Sequence, residues 1–211
     1  VDRPHGIILQ ANLGLTPHEG IVSTNPFISG VFNSHFSQGN TNFNVLLSVH
    51  SGQFNLALET GQRIFVNIDG QYRLLGVPSA FEMGLSHCRW LYKHKNHVFE
   101  ISTRASVTSP IVCTSFTVLS GEKIEAIITH DFDHLNGWRM KPGQAKEEFI
   151  ATPFNGAMIT SKFPDAKFRM RIQGDYATHT SGHNELINPA GSLSDKQLFV
   201  VKLTKTSTFT F

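Results

Sequence analysis

The sequence predicts an all-β fold, a large antiparallel β-sandwich (supersandwich) with little helix, from three features. Apolar residues alternate with polar ones at a period of two along several short runs, which marks half-buried strands. Pairs of turn-forming residues such as Asp69-Gly70 separate those runs. No stretch repeats apolar residues at the helical spacing i, i+3, i+4, i+7 over successive turns. Seventeen phenylalanines suit a broad, flat core between sheets.

Taken in order, Thr16 to Asn44 is rich in Asn, Ser, Gly and Phe and reads as a long loop. Arg63–Ile68 and Gln71–Leu75 flank Asp69-Gly70, a dipeptide suited to a two-residue hairpin. In His87–His94, Trp90 and Tyr92 alternate with Arg89 and Lys93, so the aromatics are expected to pack inward. From His97 to Val107, Phe99, Ile101, Thr103, Ala105 and Val107 share one face and Glu100, Ser102, Arg104 and Ser106 the other. Ile111–Leu119 is apolar or small on both faces, as in a central strand. After Ser120-Gly121, the run from Lys123 to Phe132 groups Ile124, Ala126, Ile128, His130 and Phe132.

Gln144 to Phe149, with Pro142 near its start, is the best helix candidate. Phe149–Phe154 and Ala157–Phe163 enclose Asn155-Gly156 as a further hairpin. Gly174 to Asp195 reads as a second long loop, and Leu198–Thr204 and Thr206–Phe211 as strands. The whole resembles an antiparallel meander, with Phe99, Ile101, Phe116, Val118, Ile124 and Ile128 expected in the core.

The 211 residues are read as a single sandwich domain, residues 1–211. Because the chain opens on Val1 and stops inside an apolar run, it is expected to be the amino-terminal fragment of a larger protein. A net charge of +2 with scattered basic residues argues against a nucleic-acid partner. No apolar run is long enough to span a bilayer as a helix, so no membrane partner is expected. Cys88 and Cys113 are the only cysteines. They read as strand residues acting as small hydrophobes, with one long-range disulfide left open. There is no Asn-x-Ser/Thr acceptor. The compartment stays open between cytoplasm and periplasm, a bacterial setting being favoured; a homodimer is left open.

His130-Asp131-Phe132-Asp133-His134 invites a metal reading. On a strand, however, the histidines and aspartates point to opposite faces, whereas metal ligands must converge. A strand end running into a polar loop is the favoured reading, and a small β-fold metalloenzyme using His130 and His134 is one alternative. In Asn136-Gly137-Trp138-Arg139, a Trp beside an Arg can stack on a sugar ring while charged groups bind hydroxyls. The sugar-binding candidates are therefore Asp133, His134, Trp138 and Arg139, against the alternative that Trp138 plugs the sandwich edge. Glu147-Glu148 reads as a solvated pair on a helix surface. Asp131 and Asp133 sit on one strand, which rarely supplies both acid and base for glycoside cleavage. No Gly-x-Ser-x-Gly elbow, phosphate loop or His-Glu-x-x-His occurs. The reading assigns no catalytic residue, no metal and no cofactor.

The strand order from Arg63 to Phe132 resembles the amino-terminal β-supersandwich domain of cellobiose and chitobiose phosphorylases and related glycoside hydrolases, a galactose-mutarotase-like fold. The resemblance covers Arg63–Ile68, the Asp69-Gly70 hairpin, His87–His94, Val98–Val107, Ile111–Leu119 and Glu122–Phe132. Gly30-Val31-Phe32-Asn33-Ser34, Gly39-Asn40-Thr41-Asn42-Phe43 and the closing Phe209-Thr210-Phe211 extend it. It implies a non-catalytic sandwich supporting an (α/α)6 barrel carboxy-terminal to it, where the acid catalyst and the phosphate or water site lie. Carbohydrate and that barrel are the implied partners, in a glycoside phosphorylase or hydrolase. A free-standing lectin-like carbohydrate-binding module is the other alternative.

Overall fold

The computed structural model describes residues 27–28, 34–35, 61–76, 78–84, 87–106, 108–109, 111–131, 138–145, 147–153, 160–161, 163–165, 167–174, 177–183, 197–206 and 208–210. Nearly all of them form antiparallel strands. These are β1 (Phe27–Ile28), β2 (Ser34–His35), β3 (Gly61–Ile68), β4 (Gln71–Leu74), β5 (Ala80–Met83), β6 (His87–His94), β7 (His97–Ala105) and β8 (Val112–Ser120). There follow β9 (Ile124–Asp131), β10 (Trp138–Pro142), β11 (Glu148–Pro153), β12 (Phe168–Arg171), β13 (Gln173–Gly174), β14 (Ala177–His183), β15 (Gln197–Thr206) and β16 (Thr208–Thr210).

The strands form a six-stranded sheet, β13-β16-β8-β7-β6-β5, and a five-stranded sheet, β14-β15-β9-β3-β4. A three-stranded sheet, β10-β11-β12, and the pair β1-β2 complete the described residues. The alternation read from sequence holds. Trp90, Phe99, Ile101 and Phe116 of the six-stranded sheet meet Ile64, Ala126, Ile128, Val201 and Leu203 of the five-stranded sheet in one core. Burying each large side chain contributes roughly 1.5 to 3 kcal/mol. Of the expected core residues, Phe99, Ile101, Phe116, Ile124 and Ile128 are buried, and Val118 is half-buried against them.

Turn chemistry explains the tight connections. Asp69 (φ 53°) and Gly70 (φ 79°) close β3 onto β4, both in the left-handed region that a type I′ hairpin requires. Lys95 (φ 50°) and Asn96 join β6 to β7 over the His94↔His97 pair.

Four expectations are corrected, and one question left open is answered. The meander holds from β5 to β8 and again from β10 to β12, but does not run through the chain. Beyond Ser120-Gly121 the chain crosses to the facing sheet, where β9 pairs with β3 and β15 and not with β8. That crossing lets Phe116 and Ile128 bury against one core from opposite sides. The Gln144–Phe149 helix does not form. Gly143 N–H donates to Glu148 O at 2.6 Å and Glu148 N–H to Ala145 O at 3.0 Å, a tight reversal that starts β11.

The Ala157–Phe163 strand is contradicted at Thr160 and Ser161, which have helical backbone geometry, residues 157–159 and 162 lying outside the described residues; the next described partner of β11 is β12. Within the loop expected at Gly174 to Asp195 lies β14, paired with β15 from Ala177↔Leu203 to His183↔Gln197. Its residues show no apolar alternation, because ladder hydrogen bonds come from the backbone and an edge strand need not be apolar. Lastly, Cys88 pairs across strands with Thr103 and Cys113 with Arg104. Thr103 and Arg104 are neighbours on β7, so the two cysteines occupy opposite faces with a strand between them, and both are free thiols. That placement is incompatible with disulfide geometry. Asn155-Gly156 and most of Thr16–Asn44 lie outside the described residues.

Candidate functional site

Around the carboxyl end of β9, the core passes from the sandwich to the three-stranded sheet. His130 pairs across strands with Gln62 of β3 and Phe199 of β15. Its Nε2 lies 2.8 Å from the Gln62 amide nitrogen, and with the amide donating, Nε2 carries the ring's lone pair. Burial pushes the His130 pKa down to about 3, outweighing a backbone interaction with Phe199 that favours the proton. A ring of such weak basicity is poorly suited to take up a proton near neutral pH. The His130 ring approaches Phe199 at 5.9 Å, and Phe199 meets Phe149 of β11 at 4.8 Å. This run of rings ties the five-stranded sheet to the three-stranded one.

Register sets the two faces of the three-stranded sheet. Phe149 and Ala151 are buried and Met170 packs on the core. On the other face Lys141 stands opposite Ile150, Ile150 opposite Arg169, and Glu148 opposite Arg171. Glu148 was expected to be solvated on a helix. Only Glu147 is exposed; the Glu148 carboxylate is buried and bound by two cations. Arg169 Nε lies 3.2 Å and Arg171 Nε 3.5 Å from Glu148 Oε1. Gln144 N–H donates to Oε2 at 3.3 Å. The side chain folds back over the turn because residue 143 has none; a Cβ on Gly143 would fall 2.5 Å from Glu148 Cγ. A buried carboxylate is costly to desolvate unless paired in this way. The signal for the arrangement is the alternation Phe168-Arg169-Met170-Arg171, which places both arginines on one face.

Of the sugar-binding candidates, Asp133 and His134 lie outside the described residues, as does Phe132. Trp138 and Arg139 are the first two residues of β10, opposite Pro153 and Thr152.

Elsewhere, polar side chains pair with one another. Arg89 bridges Glu82 of β5 and Glu100 of β7, at 3.1 and 2.8 Å. Glu125 of β9 accepts from Tyr72 and lies 2.6 Å from Lys202 Nζ. These contacts hold strands together across both sheets.

A family model described as the glycoside phosphorylase supersandwich domain matches residues 1–211, the whole chain. The chain belongs to this family. This supersandwich domain is also 28% identical, over 179 residues, to the 1,2-beta-oligoglucan phosphorylase of Listeria innocua serovar 6a. The alignment takes in 83% of this chain and 16% of that protein, so the chain spans about a sixth of its relative's length. The expected resemblance to the phosphorylase supersandwich holds. The supersandwich domain described here is a domain of a carbohydrate-active enzyme family, built from two facing sheets with a third at one end.

Proposed function

We propose that this supersandwich domain is a non-catalytic part of a glycoside phosphorylase acting on β-1,2-linked oligoglucans, and that it supports a helical (α/α)6 barrel elsewhere in the same polypeptide. The match of the whole chain to the phosphorylase supersandwich family carries the reading, and the kinship with a 1,2-beta-oligoglucan phosphorylase supports the substrate class. The side-chain chemistry described above favours it too, because Glu82, Glu100, Glu125 and Glu148 pair with cations of the domain itself. On this reading the longer polypeptide releases a sugar phosphate from β-1,2-oligoglucan only when inorganic phosphate is present, and residues 1–211 alone turn over nothing. Phosphate-independent hydrolysis by the longer protein rejects phosphorolysis. Turnover by residues 1–211, lost on changing Asp131 or Asp133, places the chemistry here instead.

The domain's own sugar contact is proposed at Asp133, His134, Trp138 and Arg139, an aromatic face flanked by hydrogen-bonding groups where β9 leads into β10. Stacking plus one or two hydrogen bonds gives an affinity of about millimolar, or roughly −4 kcal/mol. Trp138→Ala then abolishes sugar-induced chemical shifts at nearly unchanged stability. A loss of about 3 kcal/mol or more on the same change instead assigns Trp138 to the core.

A further inference from the structure

We propose that the face of the three-stranded sheet bearing Lys141, Arg169 and Arg171 is a docking surface for a carboxylate-bearing protein surface supplied by another part of the same polypeptide. The proposal rests on the reading of this domain as one part of a longer phosphorylase. Cross-strand register places Lys141, Ile150 and Arg169 in one row across β10, β11 and β12, with Arg171 in the next row beside Glu148. The only described acid on this face is Glu148, whose side chain is 7% exposed, whereas those of Arg169 and Arg171 are 62% and 65% exposed. A single buried carboxylate thus orients two guanidinium groups that face outward. Both arginines spend Nε on Glu148, and Arg171 adds Nη2, at 3.5 Å. The remaining N–H donors belong to these largely exposed side chains, in the planar fork that suits a carboxylate.

Among the described side chains, this face carries three cations against one acid, a surplus that an acidic surface would neutralise. The face is a sheet surface with half-buried Ile150 at its centre. Small-molecule sites are concave and mostly apolar, while arginine is enriched at protein interfaces. About five sixths of the relative's polypeptide lies outside the part aligned with this domain, which leaves ample surface in a longer protein of that kind to supply the acids.

Lys141 is exposed and lies outside the Glu148 cluster, so it can report on the face without disturbing it. The test treats the longer enzyme with a water-soluble carbodiimide, which activates carboxylates that a lysine amine then attacks to form an amide. The expected product joins Lys141 to an Asp or Glu of the same polypeptide outside this domain. Its yield falls severalfold as salt rises from about 0.1 M to about 1 M, where the screening length drops from about 10 Å to about 3 Å. It also falls severalfold in Arg169→Gln/Arg171→Gln. Should that pair fail to fold around an uncompensated Glu148, adding Glu148→Gln removes the buried charge together with its partners.

A link only within residues 1–211, a link to a second copy at twice the mass, or a yield indifferent to salt and to the arginines overturns the proposal. Activity in the same preparation separates the two readings. An enzyme that phosphorolyses oligoglucan without forming the link overturns the docking face alone. A linked protein without phosphorolysis keeps the face and overturns the proposed activity.

Discussion

Gln62 and His130 face each other across β3 and β9, with the amide nitrogen 2.8 Å from the imidazole Nε2 and both side chains buried. The pair makes the fold acid-sensitive. His130 is held neutral, its pKa pushed down to about 3 by burial, whereas an unfolded histidine titrates near about 6.5. Below that value the unfolded chain binds a proton that the folded chain refuses. Stability from this source is therefore fully present above about pH 6.5 and is lost as pH falls toward about 3, with a slope of at most about 1.4 kcal/mol per pH unit. Urea unfolding between about pH 7 and about pH 5 should show a shallower decline for His130→Gln than for the unaltered chain. Equal slopes would place the sensitivity in other groups.

Two glycines with positive φ should respond differently to alanine. At Gly70 (φ +79°) nothing lies within 4 Å of an added Cβ, and only the backbone is strained. At Gly121 (φ +99°) the Cβ would sit 2.3 Å from His97 Nδ1. Gly70→Ala is expected to cost about 1 kcal/mol and Gly121→Ala about 2 kcal/mol or more. Gly121→Ala combined with His97→Ala should recover the steric part alone. Denaturant midpoints measure all three, and equal costs at the two glycines would contradict the packing of His97 over the turn.

Neighbouring residues on β6 give a test of the two faces. Trp90 is fully buried, while Arg89 lies on the opposite face between Glu82 and Glu100. Trp90→Ala should cost about 3 to 5 kcal/mol. Arg89→Ala removes partly exposed ion pairs and should cost about 1 kcal/mol. Comparable losses would show that β6 is not half-buried as described.

The thiols provide a chemical readout. Burial pushes the Cys88 pKa up to about 12, and the thiolate is the reactive form. Native protein should leave Cys88 unalkylated at mildly alkaline pH, with labelling only on unfolding. Intact mass without reductant should correspond to two free thiols. A mass lower by two hydrogens would refute the opposite-face placement of Cys88 and Cys113.

Much of the fold is legible in the residues, and the candidate site much less so. The alternation along His97–Ala105 and Ile124–Asp131, and the Asp-Gly pair at the β3–β4 turn, are local properties of the backbone and its side-chain period. Glu148 was misread for a tertiary reason: a carboxylate looks solvated in sequence until two arginines, more than twenty positions later, are folded over it. The setting of His130 was hidden likewise, since its burial against Gln62 and Phe199 is invisible along the chain.

By itself, the sequence determined that this protein is all-β, where most long strands run, and which side chains face inward, because a period of two needs only neighbouring residues. Tertiary structure alone decided which sheet each strand joins. Ser120-Gly121 could equally close a hairpin or carry the chain across the sandwich, and the crossing wins because it buries Phe116 and Ile128 from opposite sides of one core. The same long-range burial sets the neutrality of His130 and the outward arginines around Glu148. Those properties depend on partners far apart in the chain, and burial assigns them only once the sheets have packed.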